Sequence, residues 1–192
     1  MDDFYSKASR DLQGLHDSRR LADQLEQTRL HRELTDEDRY VIEKAEFFFL
    51  ATANSNEMPD CSIKGGIPGF ISIDNAQHLS FSDYDGNGMF RSLGNIEENP
   101  NVGLLFLCID GDLRKLRING SAKVIRSTDH QSGHSKLKVQ IEIREIFPNC
   151  PRYIPQIKIE KSSIYNPADG YEPPDPHWKS KPDLKPYLPS DS

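Results

Sequence analysis

The stretch from Asp83 to Ser92, Asp-Tyr-Asp-Gly-Asn-Gly-Met-Phe-Arg-Ser, concentrates the groups in this chain best suited to binding an anion. Gly86 and Gly88 permit backbone angles closed to other residues. Asn87 suits a helix N-cap or a left-handed turn position. A helix starting here would aim unpaired N–H groups and a partial positive charge at the loop, where Arg91 adds a two-pronged phosphate contact and Ser92 a hydroxyl donor. The ordinary alternative is a glycine-containing loop with a surface arginine, and a lone G-x-G does not exclude it. A second segment adds weight: Ser62-Ile63-Lys64-Gly65-Gly66 ends a β-type run with a lysine and two glycines, which would let a planar ligand approach the backbone closely.

These residues need elements to hold them. Residues 1–34 are polar and charged, with leucines that loosely follow a helical period, and read as one or two surface helices. Thr35 with Asp38 is an acidic variant of a capping box, and Tyr40, Val41, Ile42 and Ala45 give the next turns an apolar side, predicting a helix that ends near Glu46. The period then changes. Phe47–Thr52, Cys61–Lys64, Gly69–Ile73, His78–Phe81, Val102–Ile109, Leu113–Arg126 and Lys138–Phe147 read as strands bounded by turn residues, with Tyr153–Ile159 as a further strand closing a barrel. Met89, Phe90, Leu93 and Ile96 share one side of a helix over Met89–Glu98, ended by Pro100. Short strands with turns between them favour a barrel over a parallel α/β sheet.

Composition bounds the function. The chain has 192 residues and a net charge of -6, from 24 Lys and Arg against 30 Asp and Glu. That balance disfavours nucleic acid or an anionic membrane as a general partner, although a local basic pocket stays open. The apolar run Phe47–Ala51 is far short of the ~20 residues of a membrane span, and the chain reads as cytoplasmic. Three widely spaced cysteines, Cys61, Cys108 and Cys150, suggest neither a disulfide framework nor a zinc site, and are expected reduced and at least partly buried. His130 and His134 beside Asp129 have a spacing that could serve a metal, but Ser132, Gly133 and Ser135 around them favour a loop, and no metal is expected. Seven of the 13 prolines fall in 166–192, which cannot form a core alone and is either disordered or an extended arm lying across a partner, anchored by Tyr171, Trp178 and Tyr187. The expected organisation is a helical extension over 1–34, a barrel domain over 35–165 and a proline-rich tail over 166–192.

Taken together, Phe48-Leu50-Ala51-Thr52-Ala53, Met58-Pro59 with Ser62, His78–Phe81, Arg91-Ser92, Asn99–Phe106 and Leu116–Ala122 resemble the pyridoxamine 5'-phosphate oxidase-like flavin-binding split barrels, over about residues 45–126. The loop Asp83–Ile96, the segment Gly65–Phe70 and the run Phe147–Tyr153 are similar to a branch of predicted flavin-nucleotide-binding proteins. The resemblance implies a mainly β fold, a six-stranded split β-barrel with flanking helices, in a homodimer that holds FMN at the subunit interface. It implies cofactor contacts at Ser62, Lys64, Gly65 and Asp83, a phosphate site at Arg91 supported by Asn87, Gly88, Met89 and Ser92, and further contacts from Lys115 and Arg117, possible from the other subunit. Ser92 stands where the oxidase proper has a lysine, and the loop over 82–90 is longer here. The oxidase's C-terminal arginine and histidine for pyridoxal phosphate are absent, which argues against vitamin B6 oxidation.

A flavin carries its own redox chemistry, so no catalytic residue is assigned; Lys64 is the group to stabilise negative charge at the ring, against the common alternative of a solvated lysine. The favoured reading is an FMN-dependent oxidoreductase using a small-molecule electron donor or acceptor. The alternatives are a non-catalytic flavin-binding carrier, sensor or stress protein, and a split barrel holding haem or a deazaflavin. Fold and cofactor together do not fix a substrate.

Overall fold

The computed structural model describes residues 4–108, 114–126, 137–155, 157–168 and 170–189. Three helices, α1 (Lys7–Leu15), α2 (Arg19–Arg29) and α3 (Asp36–Lys44), precede the strands β1 (Phe47–Ala53), β2 (Pro59–Gly65), β3 (Ile71–Asn75) and β4 (His78–Asp83). The helix α4 (Arg91–Glu98) follows, then β5 (Asn101–Cys108), β6 (Arg114–Arg126) and β7 (Leu137–Asn149). The strands form one antiparallel sheet in the order β2-β1-β5-β6-β7-β4-β3. The class is mainly β, as expected, with seven strands in the sheet. His130 and His134 lie outside the described residues.

The sheet curls because one face carries the core. Phe48 and Leu50 of β1, Leu104 and Phe106 of β5, Leu116 and Ile118 of β6, and Val139, Ile141 and Ile146 of β7 are buried. Burying each such side chain is worth about 1.5–3 kcal/mol. The two ends of the sheet meet around one ring. Phe48 packs against Phe106 at 5.2 Å on the neighbouring strand, and against Phe81 of β4 at 5.2 Å and Phe70 at 6.0 Å from the far end. The edge strands β2 and β3 do not pair, so the barrel is split along a seam between β2 on one side and β4 with β3 on the other.

The capping box at Thr35 forms in both directions, its hydroxyl accepting from the Asp38 N–H and the Asp38 carboxylate accepting from the Thr35 N–H. Asp38 is buried and also accepts from the Thr35 hydroxyl, with His31 Nε2 2.7 Å from the same carboxylate oxygen. His31 in turn exchanges backbone hydrogen bonds with Ile146, tying the N-terminal segment to β7. The hairpin α1–α2 is held by Arg10, which pairs with Asp23 and Glu26 and lies over the Tyr5 ring.

Two local expectations are corrected. Tyr153–Ile159 forms no strand among its described residues: Ile154 donates back to Pro151 in a turn, and Pro151 and Pro155 remove two backbone donors. Of the cysteines, only Cys108 is buried; Cys61 lies on the outward side of β2, and Cys150 follows the end of β7. All three are free thiols. No helix among the described residues is long and apolar enough to cross a membrane.

Candidate functional site

Strand alternation decides what the seam contains. Lys64 stands opposite Phe48, Ser62 opposite Leu50 and Asp60 opposite Thr52, and directly opposed residues share a face of the sheet. Asp60, Ser62 and Lys64 therefore form a polar ladder on the inward side of β2, where the inner strands present Phe and Leu. Each rung has a partner across the seam. The Ser62 and Ser92 hydroxyl oxygens are 3.0 Å apart, Lys64 donates to Asp83 Oδ1 at 3.1 Å, and Arg91 Nε lies 3.4 Å from Asp60 Oδ1.

The ladder's partners come from the end of β4 and the first turn of α4. Ser92 is buried with Leu93 and Ile96, which turn the apolar side of α4 onto the barrel, and Asn95 donates to Thr52 at 3.0 Å to fix its roll. The helix starts at Arg91, two residues later than its apolar spacing predicts. Asn87 does not cap it. Its side chain accepts from the Met89 N–H within the loop, Gly88 takes φ +73°, and Phe90 occupies the N-cap in the left-handed region at φ 47° with no side-chain cap. The first-turn N–H groups consequently have no capping side chain, beside a guanidinium that is 62% exposed.

The eleven residues expected at a site fall into three places. Ser62, Lys64, Asp83, Arg91 and Ser92 come together at the seam, with Gly65 at the end of the same strand. Asn87, Gly88 and Met89 lie on the exposed loop leading into α4. Lys115 and Arg117 do not join them. Arg117 pairs across the sheet with Leu105 and Phe147, in the row that includes Phe49 and Ile63 on the outward face, and its guanidinium lies 5.8 Å from the Phe147 ring centre. Lys115 instead lines a cavity of about 180 Å³ with Glu37, Val41, Arg114 and Pro148.

Two participants were not anticipated. Asp60 is the acidic end of the ladder, and the alternation Asp60-Cys61-Ser62-Ile63-Lys64 carried the signal, since polar residues at every second position share a face. Lys179, in a short 3-10 turn over His177–Ser180, reaches Asp85 of the loop at 2.8 Å and lies 3.6 Å from Asp175. Its side chain is only 12% exposed, and the hydrogen bond it donates to Asp85 raises its pKa above the usual lysine value. The tail thus runs back to its own chain's loop. Beside this contact, burial raises the pKa of Tyr84.

The family model for pyridoxamine 5'-phosphate oxidase matches residues 34–157, which spans the whole sheet and the seam. The chain belongs to that family. Among solved structures, it is similar to HupZ from Group A Streptococcus at 17% identity and a TM-score of 0.49, covering 60% of this chain and 93% of that one. It is also similar to HutZ, the heme storage protein from Vibrio cholerae, at 13% identity and a TM-score of 0.44, covering 60% and 94%. An FMN-binding protein from Syntrophomonas wolfei matches at 12% identity and a TM-score of 0.42, covering 71% and 97%. No curated protein matches the chain.

Proposed function

We propose that this member of the pyridoxamine 5'-phosphate oxidase family binds FMN at the seam and acts as a flavin-dependent oxidoreductase on a small-molecule donor or acceptor. The observation that carries the reading is the meeting of the β2 ladder with the first turn of α4. Uncapped helix N–H groups, the Arg91 guanidinium and the Ser62 and Ser92 hydroxyls converge there, and this donor set fits a phosphate. None of the six side chains gathered at the seam is an imidazole, thiolate or thioether, so the set suits a phosphate ester better than a haem iron. Arg91 and Ser92 would hold the phosphate, while Lys64 and Gly65 would lie along the ring and ribityl chain. Bound FMN would supply the hydride or electron transfer. The chain's part is to fix the ring, keep Lys64 beside it and leave one side open.

The working unit of this proposal is a homodimer. Phe47, Phe49, Leu105, Leu107 and Ile63 give the outward face of β2-β1-β5 an apolar strip beside Lys115 and Arg117, and Ile63 is 62% exposed. Two cavities of about 120 and 180 Å³ lie away from the seam, and both are below the roughly 300 Å³ at which small-molecule pockets begin. A second copy seated on this face would bring its own Lys115 and Arg117 toward a cofactor held between the two. In this arrangement residues 35–165 form the barrel unit, with 1–34 as a helical extension and 166–192 as a tail.

The test is an absorption spectrum of purified protein, followed by titration of the cofactor-free form with FMN, riboflavin and haem, with light scattering for the oligomeric state. FMN should bind in preference to riboflavin, and Arg91→Ala should remove that preference. A charge-assisted contact of this kind is worth about 1.5–3 kcal/mol, which corresponds to roughly 10- to 150-fold in affinity. Binding of haem but neither flavin would overturn the assignment.

A further inference from the structure

Both cations at the seam are already matched by a carboxylate. Lys64 of β2 holds Asp83 of β4, and Arg91 of α4 holds Asp60 of β2. The Lys64 and Asp83 side chains are 21% and 14% exposed, so this pair is largely withdrawn from solvent, whereas Arg91 is 62% exposed against 23% for Asp60. Within these two pairs the positive and negative charges offset one another. A phosphate monoester brings a charge of about -1.5 to -2 near neutral pH. A phosphate approaching Arg91 meets the Asp60 carboxylate on the Nε side of the guanidinium, and negative charge near Lys64 meets Asp83 at the same ammonium.

We propose that Asp60 and Asp83 determine the affinity and selectivity of this site for anionic ligands, acting as built-in counter-ions: Asp60 competes with a bound phosphate for Arg91, and Asp83 offsets the charge of Lys64. Binding is then an exchange of ion pairs. The proposal rests on the reading of the seam as a phosphate-ester site and adds to it the two residues that oppose the ligand. It has a consequence for salt. When one ion pair is traded for another, the number of paired charges changes little, so affinity in the wild-type protein depends only weakly on ionic strength. Removing the internal carboxylate turns the exchange into a net gain of pairing, which salt should screen. A carboxylate that merely supports the fold would produce no such change in slope.

The experiment compares wild type with Asp60→Asn and, separately, Asp83→Asn, titrating FMN and riboflavin at low and high salt. Each amide variant should tighten FMN by about two- to five-fold at low salt, the range expected for a partly exposed ion pair. Riboflavin should be unaffected by Asp60→Asn, the salt dependence for FMN should steepen, and Asp60→Glu should restore wild-type behaviour. Equal weakening of FMN and riboflavin in Asp60→Asn would overturn the proposal, because it would mean that Asp60 contacts the ligand's uncharged part. Unchanged FMN affinity and salt slope would overturn it as well. If the wild-type protein binds neither flavin, the FMN assignment fails, and inorganic phosphate becomes the probe, followed through the Arg91 Nε–H resonance. Tighter phosphate binding in Asp60→Asn would support the counter-ion role, and equal or weaker binding would refute it.

Discussion

The sheet has a closed side and an open side, and they are held by different forces. Along β5-β6-β7 the strands pair over long registers, with Leu104, Ile118, Ile143 and Ile146 facing the core. Across the seam no ladder joins β2 to β3, and the ends are held by the rings around Phe48, the ion pair Lys64–Asp83 and the hydroxyl pair Ser62–Ser92. Backbone pairing with burial gives the closed side stability that does not depend on one contact. The seam depends on a few side chains, most of them polar.

The largest effect should come from the one residue that belongs to both sides. Phe48 is fully buried and touches rings from β4, β5 and the segment before β3. Phe48→Ala should cost about 3–5 kcal/mol, a large share of the stability of an ordinary domain, as read by denaturant unfolding. A loss below about 1 kcal/mol would mean that the two ends of the sheet are joined by something other than this cluster.

On the closed side alone the sharpest test is Gly120, where the register between β6 and β7 shifts. A Cβ there would sit 2.4 Å from the Glu142 carbonyl oxygen, a backbone atom with little room to move. Gly120→Ala should therefore destabilise by about 1–3 kcal/mol. It should leave the FMN-over-riboflavin ratio alone, because the bulge lies in the middle of the sheet, on a strand three places along from β2. A changed ratio at equal occupancy would show that the two sides are coupled.

How far this division was legible in the sequence differs between the sides. The closed side follows from apolar runs bounded by turn residues, and Thr35 with Asp38 announced α3 by spacing alone. The seam was harder because its pairs are distant in sequence: nothing local links Asp60 to Arg91 or Lys64 to Asp83. The start of α4 was misplaced because Met89 and Phe90 fit its apolar period, while the Asn87 turn and the left-handed Phe90 keep them outside the helix. Lys115 and Arg117 enter through the family resemblance, which left open that they act from the other subunit, and their alternation with the buried Leu116 and Ile118 sets them on one face of β6. The register turns them outward, and in the proposed homodimer they would reach the cofactor from a partner copy.

The smallest expected effect concerns the contact by which the tail reaches the open side. Lys179 donates to Asp85, and that bond raises its pKa above the usual lysine value. A raised pKa means the folded form binds the proton more tightly than the unfolded chain does. The contact therefore contributes fully below the unfolded lysine value of about 10.4 and is lost as pH rises through the higher folded value. Trp178, the chain's only tryptophan, is adjacent to Lys179 and half-buried, so its fluorescence reports on the tail. Emission should hold steady from pH 6 to 9 and shift to longer wavelength above about pH 10.4. Lys179→Met should show the shifted emission at every pH, with the same tyrosines present to account for any quenching by their ionisation. A tail that detached equally in both proteins would show that the loop and the tail meet through apolar contact. The open side would then carry one fewer exchangeable pair than its geometry suggests.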